Sequence, residues 1–275
     1  MTCYRHPKRE ATIRCTRCER PICTDCMNPA AVGFQCPECV AEGRRTVRQA
    51  RTIAGGRPSG DPMKTTTTLI AIFIIVFIAQ MTVQGFDGRF VGLVSNSGVG
   101  RPTRGIAAGE YYRLIIAAFM HGGIFHILMN SYALYFTGPR IEAALGRSRF
   151  LVVYALSALG GGVAGYLLRQ PGEAGLGASG AVFGLFGASF VLAKRLRADT
   201  GPITGLLVIN LVLGFVIPGI GWEAHLGGLA TGAALTAAFT YAPKDRRLVI
   251  QASATVLIVV LLVVATVLRT NALNV

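Results

Sequence analysis

The chain alternates long apolar blocks with short polar connections. Seven blocks stand out, at 66–84, 114–137, 150–168, 178–193, 203–218, 222–241 and 248–268. Each is near the roughly 20 residues an α-helix needs to cross about 30 Å of hydrocarbon. A core helix of a water-soluble domain would carry a polar stripe, and most of these blocks carry none. The pattern predicts an all-α polytopic membrane protein. The first 64 residues differ in character, being polar, basic and cysteine-rich. They contain no apolar run near Met1 of the kind that marks a secretory signal.

Composition agrees with the blocks: of 275 residues 52% are hydrophobic and only 15% charged, with a mean hydropathy of +0.52. The net charge of +14 would suit nucleic acid, but its distribution suggests another cause. Arg44, Arg45, Arg48, Arg51, Arg57 and Lys64 precede the first block. Arg140, Arg147 and Arg149 lie between the second and third, Lys194, Arg195 and Arg197 between the fourth and fifth, and Lys244, Arg246 and Arg247 between the sixth and seventh. The alternate connections are poor in basic residues, with Arg169 in one and Arg269 in the C-terminal tail. The positive-inside rule then places the N-terminus in the cytoplasm and the C-terminus outside, with seven spans. The long loop at 85–112 carries Arg89, Arg101 and Arg104 against the trend, yet must lie outside if the other assignments hold. The charge is therefore mainly topological. The expected partner is the lipid bilayer, and nucleic acid is not expected.

Every cysteine falls in the first 39 residues. They form four pairs, each with two intervening residues: Cys3 with His6, Cys15 with Cys18, Cys23 with Cys26, and Cys36 with Cys39. That spacing lets two donors from one turn reach the same tetrahedral Zn2+, so eight donors make two closed structural sites. A reducing cytosolic face argues against disulfides. So short a segment has too little core to fold without a metal staple. The interleaved pairs resemble B-box and related cross-braced zinc fingers. That resemblance implies that Cys3, His6, Cys23 and Cys26 share one ion, and Cys15, Cys18, Cys36 and Cys39 the other. Closed sites leave no coordination position for catalysis, so a recognition or regulatory role, with a cytosolic protein partner, is expected. Residues 41–64, with Gly55-Gly56, Pro58, Ser59-Gly60 and Pro62, read as a basic flexible linker along the inner leaflet.

Ionisable groups inside the apolar blocks are few, and each is a functional candidate. His121 and His126 fall in the second block, and Glu223 and His225 near the start of the sixth. In the predicted topology the second, fourth and sixth spans all start outside. This brings His121, His126, Asn130, Ser179 and His225 to about the same depth, especially if Gly122-Gly123 marks the true helix start. Gly180, Gly184 and Gly187 form a small-residue stripe on the fourth span, and Ala224, Gly228 and Gly232 recur every four residues on the sixth. Such faces let helices approach closely, which would bring Ser179 within hydrogen-bonding reach of His225. A serine hydroxyl becomes a strong nucleophile when an imidazole takes its proton. His126 and Asn130, at i and i+4, share a face from which both could donate to an oxyanion. Glu223 reads as an interfacial carboxylate, Arg113 and Glu142 as structural, and Tyr112 and Trp222 as an aromatic interfacial belt.

These residues resemble the rhomboid family of intramembrane serine proteases. The motifs are Gly177-Ala178-Ser179-Gly180, Ala224-His225-Leu226-Gly227-Gly228 and His121-x4-His126-x3-Asn130, with Tyr111-Tyr112-Arg113 and the turn-like Gly138-Pro139-Arg140-Ile141-Glu142 beside them. The resemblance implies Ser179 as nucleophile and His225 as general base, a dyad without a third acid. It implies an oxyanion hole from His126, Asn130 and the Ser179 N–H, with Gly177 shaping the loop. Phe183 would stack on His225 where relatives often have Tyr, and His121 would support. The implied substrates are transmembrane segments of other membrane proteins, cleaved without a catalytic metal. The alternative is a pseudoprotease or membrane chaperone using the same groove. The expected layout is a double zinc finger at 1–40, the linker at 41–64, a six-helix protease core at 65–245, and a seventh helix with a short external tail at 246–275. Abundant Ala, Gly, Val and Arg point to a GC-rich bacterium, and so to its plasma membrane.

Overall fold

The computed structural model describes residues 1–46, 50–94, 102–217 and 219–274. Arg48 and Arg101, used above for topology, lie outside the described residues. The chain forms two compact units, Met1–Ala50 and Arg51–Val275.

In the first unit, β1 (Ile13–Arg14) pairs antiparallel with β2 (Pro21–Ile22), and β3 (Asn28–Pro29) with β4 (Phe34–Gln35). Helix α1 (Pro37–Thr46) follows, with proline at its first position, where a missing N–H costs nothing. The core of this unit is Ala11, Ile22 and the cysteine side chains, of which all but Cys18 are buried. With Tyr4, Ile13, Met27 and Phe34 partly buried against it, this is a small core for about 46 residues, each of which costs roughly 1–2 kcal/mol of backbone entropy to order.

The second unit is a helical bundle. Helix α2 (Pro62–Thr82) starts at an Asp61 cap whose carboxylate accepts from Met63 N–H at 3.0 Å. After α3 (Phe86–Phe90), strand β5 (Gly92–Leu93) leads toward α4 (Arg113–Ile116). Helices α5 (Ile124–Leu145), α6 (Arg147–Leu168), α7 (Ser179–Leu196), α8 (Gly201–Val216), α9 (Trp222–Tyr241) and α10 (Arg247–Leu273) complete the bundle. Strand β6 (Ala174–Gly175), just ahead of α7, pairs antiparallel with β5. Among the described residues four helices (α2, α6, α7 and α10) are long and apolar enough to cross a membrane, and α4 with α5 makes a fifth if the bent pair is one span. Broad apolar flanks of α2, α5, α8 and α10 remain uncovered by protein, as lipid-facing surfaces are.

Two expectations change. The second apolar block is not one helix, because α4 and α5 meet at 91° across a break that holds His121. Gly123, extended at φ 163°, ends the break, and the helix starts at Ile124. Gly138–Glu142 is not a turn either, since α5 runs through Pro139 to Leu145. Gly138 instead admits Thr66 of α2, whose hydroxyl lies where a Cβ would stand. Glu142, wholly buried, accepts from Ser59 Oγ at 2.5 Å and pairs with Arg147 Nε at 3.1 Å. Residues 51–60 pack onto this end of the bundle: Ala54 is fully buried, and Thr52 Oγ1 donates to Leu145 O at 3.1 Å.

Residues 85–94 and 102–112 fold about Arg113, which is 1% exposed. Its guanidinium donates to Val91 O at 2.9 Å, to Gly88 O, and to Glu110 Oε2 at 2.8 Å. Burial would raise the Glu110 pKa, but Arg113 and the Gly105 N–H hold it below the usual carboxylate range.

Helices α6, α7 and α9 form the central triplet, and the small residues permit it. A Cβ on Gly228 or Gly232 of α9 would strike the carbonyl oxygen of Gly180 or Gly184 of α7. One on Gly187 would come within 2.7 Å of Leu229 O. Helix α6 completes the contact, since a Cβ on Gly161 would stand 2.8 Å from Ala224 O and 3.0 Å from Gly180 Cα. Backbone atoms cannot rotate away as a side chain can. Gly228→Ala is therefore expected to cost about 1–3 kcal/mol by overpacking, read as a lower thermal midpoint in detergent. Gly205→Ala on α8, where nothing lies within 4 Å, is the control and should leave the midpoint unchanged or raised. Equal midpoints for the two variants would contradict this packing.

Candidate active site and metal centres

Ser179 is the first residue of α7, behind the loop that Gly177 turns. Gly177 sits at φ +125°, a conformation that side chains disfavour, and its Cβ would fall 2.7 Å from the His126 ring. Its N–H donates to Ala117 O at 2.9 Å, pinning the loop. Val182 N–H closes the first helical turn on Ala178 O at 3.0 Å, so the N–H groups of Ser179 and Gly180 have no acceptor within the helix. His126, in the first turn of α5, accepts from Gly122 N–H at Nδ1 over 3.3 Å. That bond assigns the ring proton to Nε2, the atom beside Gly177. Ser179 Oγ lies 3.8 Å from the same imagined Cβ, so Gly177, His126 and Ser179 meet at one point.

His225 lies in the first turn of α9 and is 7% exposed. Its ring stacks on Phe183 with centroids 4.0 Å apart and planes 9° from parallel. On its edge, α8 passes close enough that a Cβ on Gly214 would be 3.5 Å from His225 Nδ1. That nitrogen is buried and has no hydrogen-bond partner among the described residues. Glu223 turns away from it and pairs with Arg169 at 3.4 Å. Among the described residues no hydrogen bond joins Ser179 Oγ to His225, so the expected serine–histidine bond is not formed here. Catalytic hydrogen bonds are often long before substrate binds.

Asn130 is buried one turn beyond His126, and its amide donates to His126 O at 3.0 Å. His121 sits behind the site at 1% exposure, its ring edge-on to His126 at 5.2 Å and tilted against Phe73 at 5.0 Å. Among the described residues neither ring nitrogen makes a hydrogen bond of good geometry. The sequence reading missed Gln80 of α2, which clamps the His121 backbone: Oε1 accepts the N–H at 2.9 Å and Nε2 donates to the C=O at 3.1 Å. An amide near the end of an apolar block was the available signal.

In the first unit the eight expected donors gather into two groups, Cys3, His6, Cys23 and Cys26, and Cys15, Cys18, Cys36 and Cys39. The ligand atoms of each group lie within 4.8 Å of one another. Zn–S bonds of about 2.3 Å at tetrahedral angles put sulfurs about 3.8 Å apart. Cys3 and Cys26 sulfurs are 3.8 Å apart, Cys18 and Cys36 sulfurs 3.7 Å, and His6 Nδ1 lies 3.3–3.9 Å from the sulfurs of Cys23, Cys26 and Cys3. The donors fit metal ions, and their interleaving is the cross-brace. Burial opposes ionisation of Cys3 and Cys15, but backbone N–H groups aimed at each sulfur bring both thiols down to about 6. Burial and neighbouring thiols push Cys26 up to about 11 and Cys39 up to about 12.

The family model of the Rhomboid domain matches residues 108–242, a stretch that holds His126, Asn130, Ser179 and His225 and leaves the cysteine-rich unit outside. A Bacillus subtilis protein provisionally named rhomboid protease YdcA is 36% identical over 133 residues, covering 46% of this chain and 67% of its own length. Rhomboid protease GluP of Bacillus subtilis is 36% identical over 132 residues, 46% of this chain and 26% of that protein. Rhomboid-type serine protease 2 of Emericella nidulans is 32% identical over 148 residues, 51% of this chain and 29% of that protein. The chain thus spans two thirds of the first of these relatives and less than a third of the other two. With its bundle, its apolar surfaces and these matches, the chain belongs to the rhomboid family of serine proteases.

Proposed function

We propose that this chain is an intramembrane serine endopeptidase that cleaves transmembrane segments of other membrane proteins through Ser179 and His225. The observation that carries the reading is the stack of His225 on Phe183, which fixes the imidazole beside the first turn of α7, where Gly177, His126 and Ser179 meet. A substrate helix enters from the lipid and unwinds, presenting a peptide carbonyl to Ser179 Oγ. His225 accepts the hydroxyl proton as the bond to carbon forms. The oxyanion is held by the free Ser179 N–H, by His126 Nε2–H and by Asn130, which turns its amide from the His126 carbonyl as charge develops. His225 then protonates the leaving amine and later takes a proton from the water that hydrolyses the acyl-enzyme. His121 and Gln80 hold the histidine-bearing break in place.

The seven apolar segments cross a plasma membrane with the N-terminus in the cytoplasm and the site toward the outside. The two donor groups of the first unit each hold one Zn2+, which supplies a structural cross-link and takes no part in hydrolysis. The finger faces a cytosolic protein partner.

The chain reconstituted with a single-span substrate in lipid vesicles is expected to yield two fragments. Intact substrate at full enzyme loading would overturn the proposal and leave a non-cleaving binder of transmembrane helices. Phe183 acts as a positioning residue. Phe183→Ala is expected to lower kcat about 10–100-fold with KM little changed, because a displaced base loses its near-attack geometry. Loss of the buried ring lowers the midpoint of Phe183→Ala in either case, so the readout is kcat of the folded protein. Phe183→Tyr keeps the ring and should restore most of it, whereas a purely structural role would leave kcat per folded molecule unchanged in Phe183→Ala.

A further inference from the structure

The end of the bundle where α2, α6 and α10 all begin holds a cavity of about 360 Å³ that the site above does not use. It lies between residues 51–60 and the start of α6, and its charged lining is Arg51, Arg57, Arg147 and Arg149. Arg147 is neutralised by the buried Glu142. For Arg51, Arg57 and Arg149, and for Arg247 of α10 beside them, the described residues offer no carboxylate within 4.0 Å.

Topology alone would be satisfied by solvated arginines, as Arg51 and Arg57 are, but Arg149 and Arg247 are held in place. Arg149 donates through Nε to Gln251 Oε1 at 2.8 Å. Gln251 is buried, and its amide donates to Ala54 O and Phe239 O at 2.9 Å each. The held guanidinium lies over the backbone at Gly56, where a Cβ would come within 2.8 Å of Nη1. Arg247 covers Gly55 in the same way, and its Nε is buried without a partner. The first turn of α6 adds to the field. Phe150 N–H closes on Gly146 O at 3.0 Å, so the Arg147, Ser148 and Arg149 N–H groups at the cavity wall have no acceptor within the 22-residue helix. Ser148 also lines the cavity, while the Ser59 hydroxyl is already donated to Glu142. Planar guanidinium donors, helix N–H groups and the Ser148 hydroxyl together match a tetrahedral oxyanion.

We propose that this cavity binds a phosphate-ester anion, the chemistry carried by the headgroup of an anionic phospholipid and also by soluble phosphate. The helix starts place it at the membrane boundary, within reach of lipid phosphates. The claim is independent of proteolysis.

The test uses the purified full chain in neutral detergent. Native mass spectrometry reads retention of added phosphatidylglycerol against phosphatidylcholine, with inorganic phosphate as competitor. Arg51→Gln/Arg57→Gln alters two exposed side chains, so the bundle should keep its thermal midpoint while binding phosphatidylglycerol about tenfold more weakly or worse. Arg140→Gln/Arg197→Gln, which removes two positive charges away from the cavity, should bind as the unaltered chain does. Displacement by millimolar inorganic phosphate would identify soluble phosphate as the ligand, and resistance would identify the lipid headgroup; either result supports the site. Equal retention of the two lipids with no phosphate binding, equal binding by Arg51→Gln/Arg57→Gln and the unaltered chain, or an equal loss in Arg140→Gln/Arg197→Gln would overturn it.

Discussion

Ser179→Ala is expected to lower the rate of substrate cleavage by about 10⁴–10⁶-fold, to the level left by substrate binding and the oxyanion donors alone. His225→Ala should do the same. The double variant should be no worse than either, because the hydroxyl and the imidazole act as one unit. The two variants differ in stability. Ser179 Oγ makes no hydrogen bond among the described residues, so its loss should leave the thermal midpoint in place. His225→Ala removes the stack on Phe183, worth about 0.5–1.5 kcal/mol beyond buried area, and should lower the midpoint. Cleavage and midpoint measured on the same preparations separate chemistry from folding. Cleavage at the unaltered rate by either variant would contradict the proposed roles.

The second large effect is expected from metal removal. A structural zinc site contributes an apparent 10–16 kcal/mol or so to folding in small zinc modules, far more than Ala11 and Ile22 can supply. A chelator should therefore unfold residues 1–46 and expose all seven cysteines, while the helical bundle keeps its thermal midpoint. Metal analysis should return two zinc ions per chain before chelation, and thiol titration should go from protected to seven reactive groups. A metal-free first unit with protected thiols and intact hairpins would contradict the cross-brace.

The ends of α6, α7 and α9 were legible because apolar blocks mark the helices and glycines mark where they touch. The four-residue recurrence of Ala224, Gly228 and Gly232 met the α7 stripe as expected. Gly160 and Gly161 on α6 complete the triplet, and nothing in a two-helix reading calls for them. The break at His121 was hidden from hydropathy. It depends on Gln80, more than forty positions away, satisfying an N–H and a C=O that no helix serves. The Arg169–Glu223 pair was invisible for the same reason, since each residue looks isolated in its own segment. The metal donors were the most legible feature. Ligand spacing is local, and the cross-brace only decides which local pairs meet.

A fluorophosphonate probe reports on Ser179 itself. Such a probe reacts with a serine whose proton is being taken by a base. Stoichiometric labelling is expected on the peptide containing Ser179 in the unaltered chain. Labelling should disappear in both Ser179→Ala and His225→Ala, with the thermal midpoint of Ser179→Ala unchanged. Absence of labelling in a folded, unaltered chain, or labelling that survives either substitution, would contradict Ser179 as the nucleophile activated by His225.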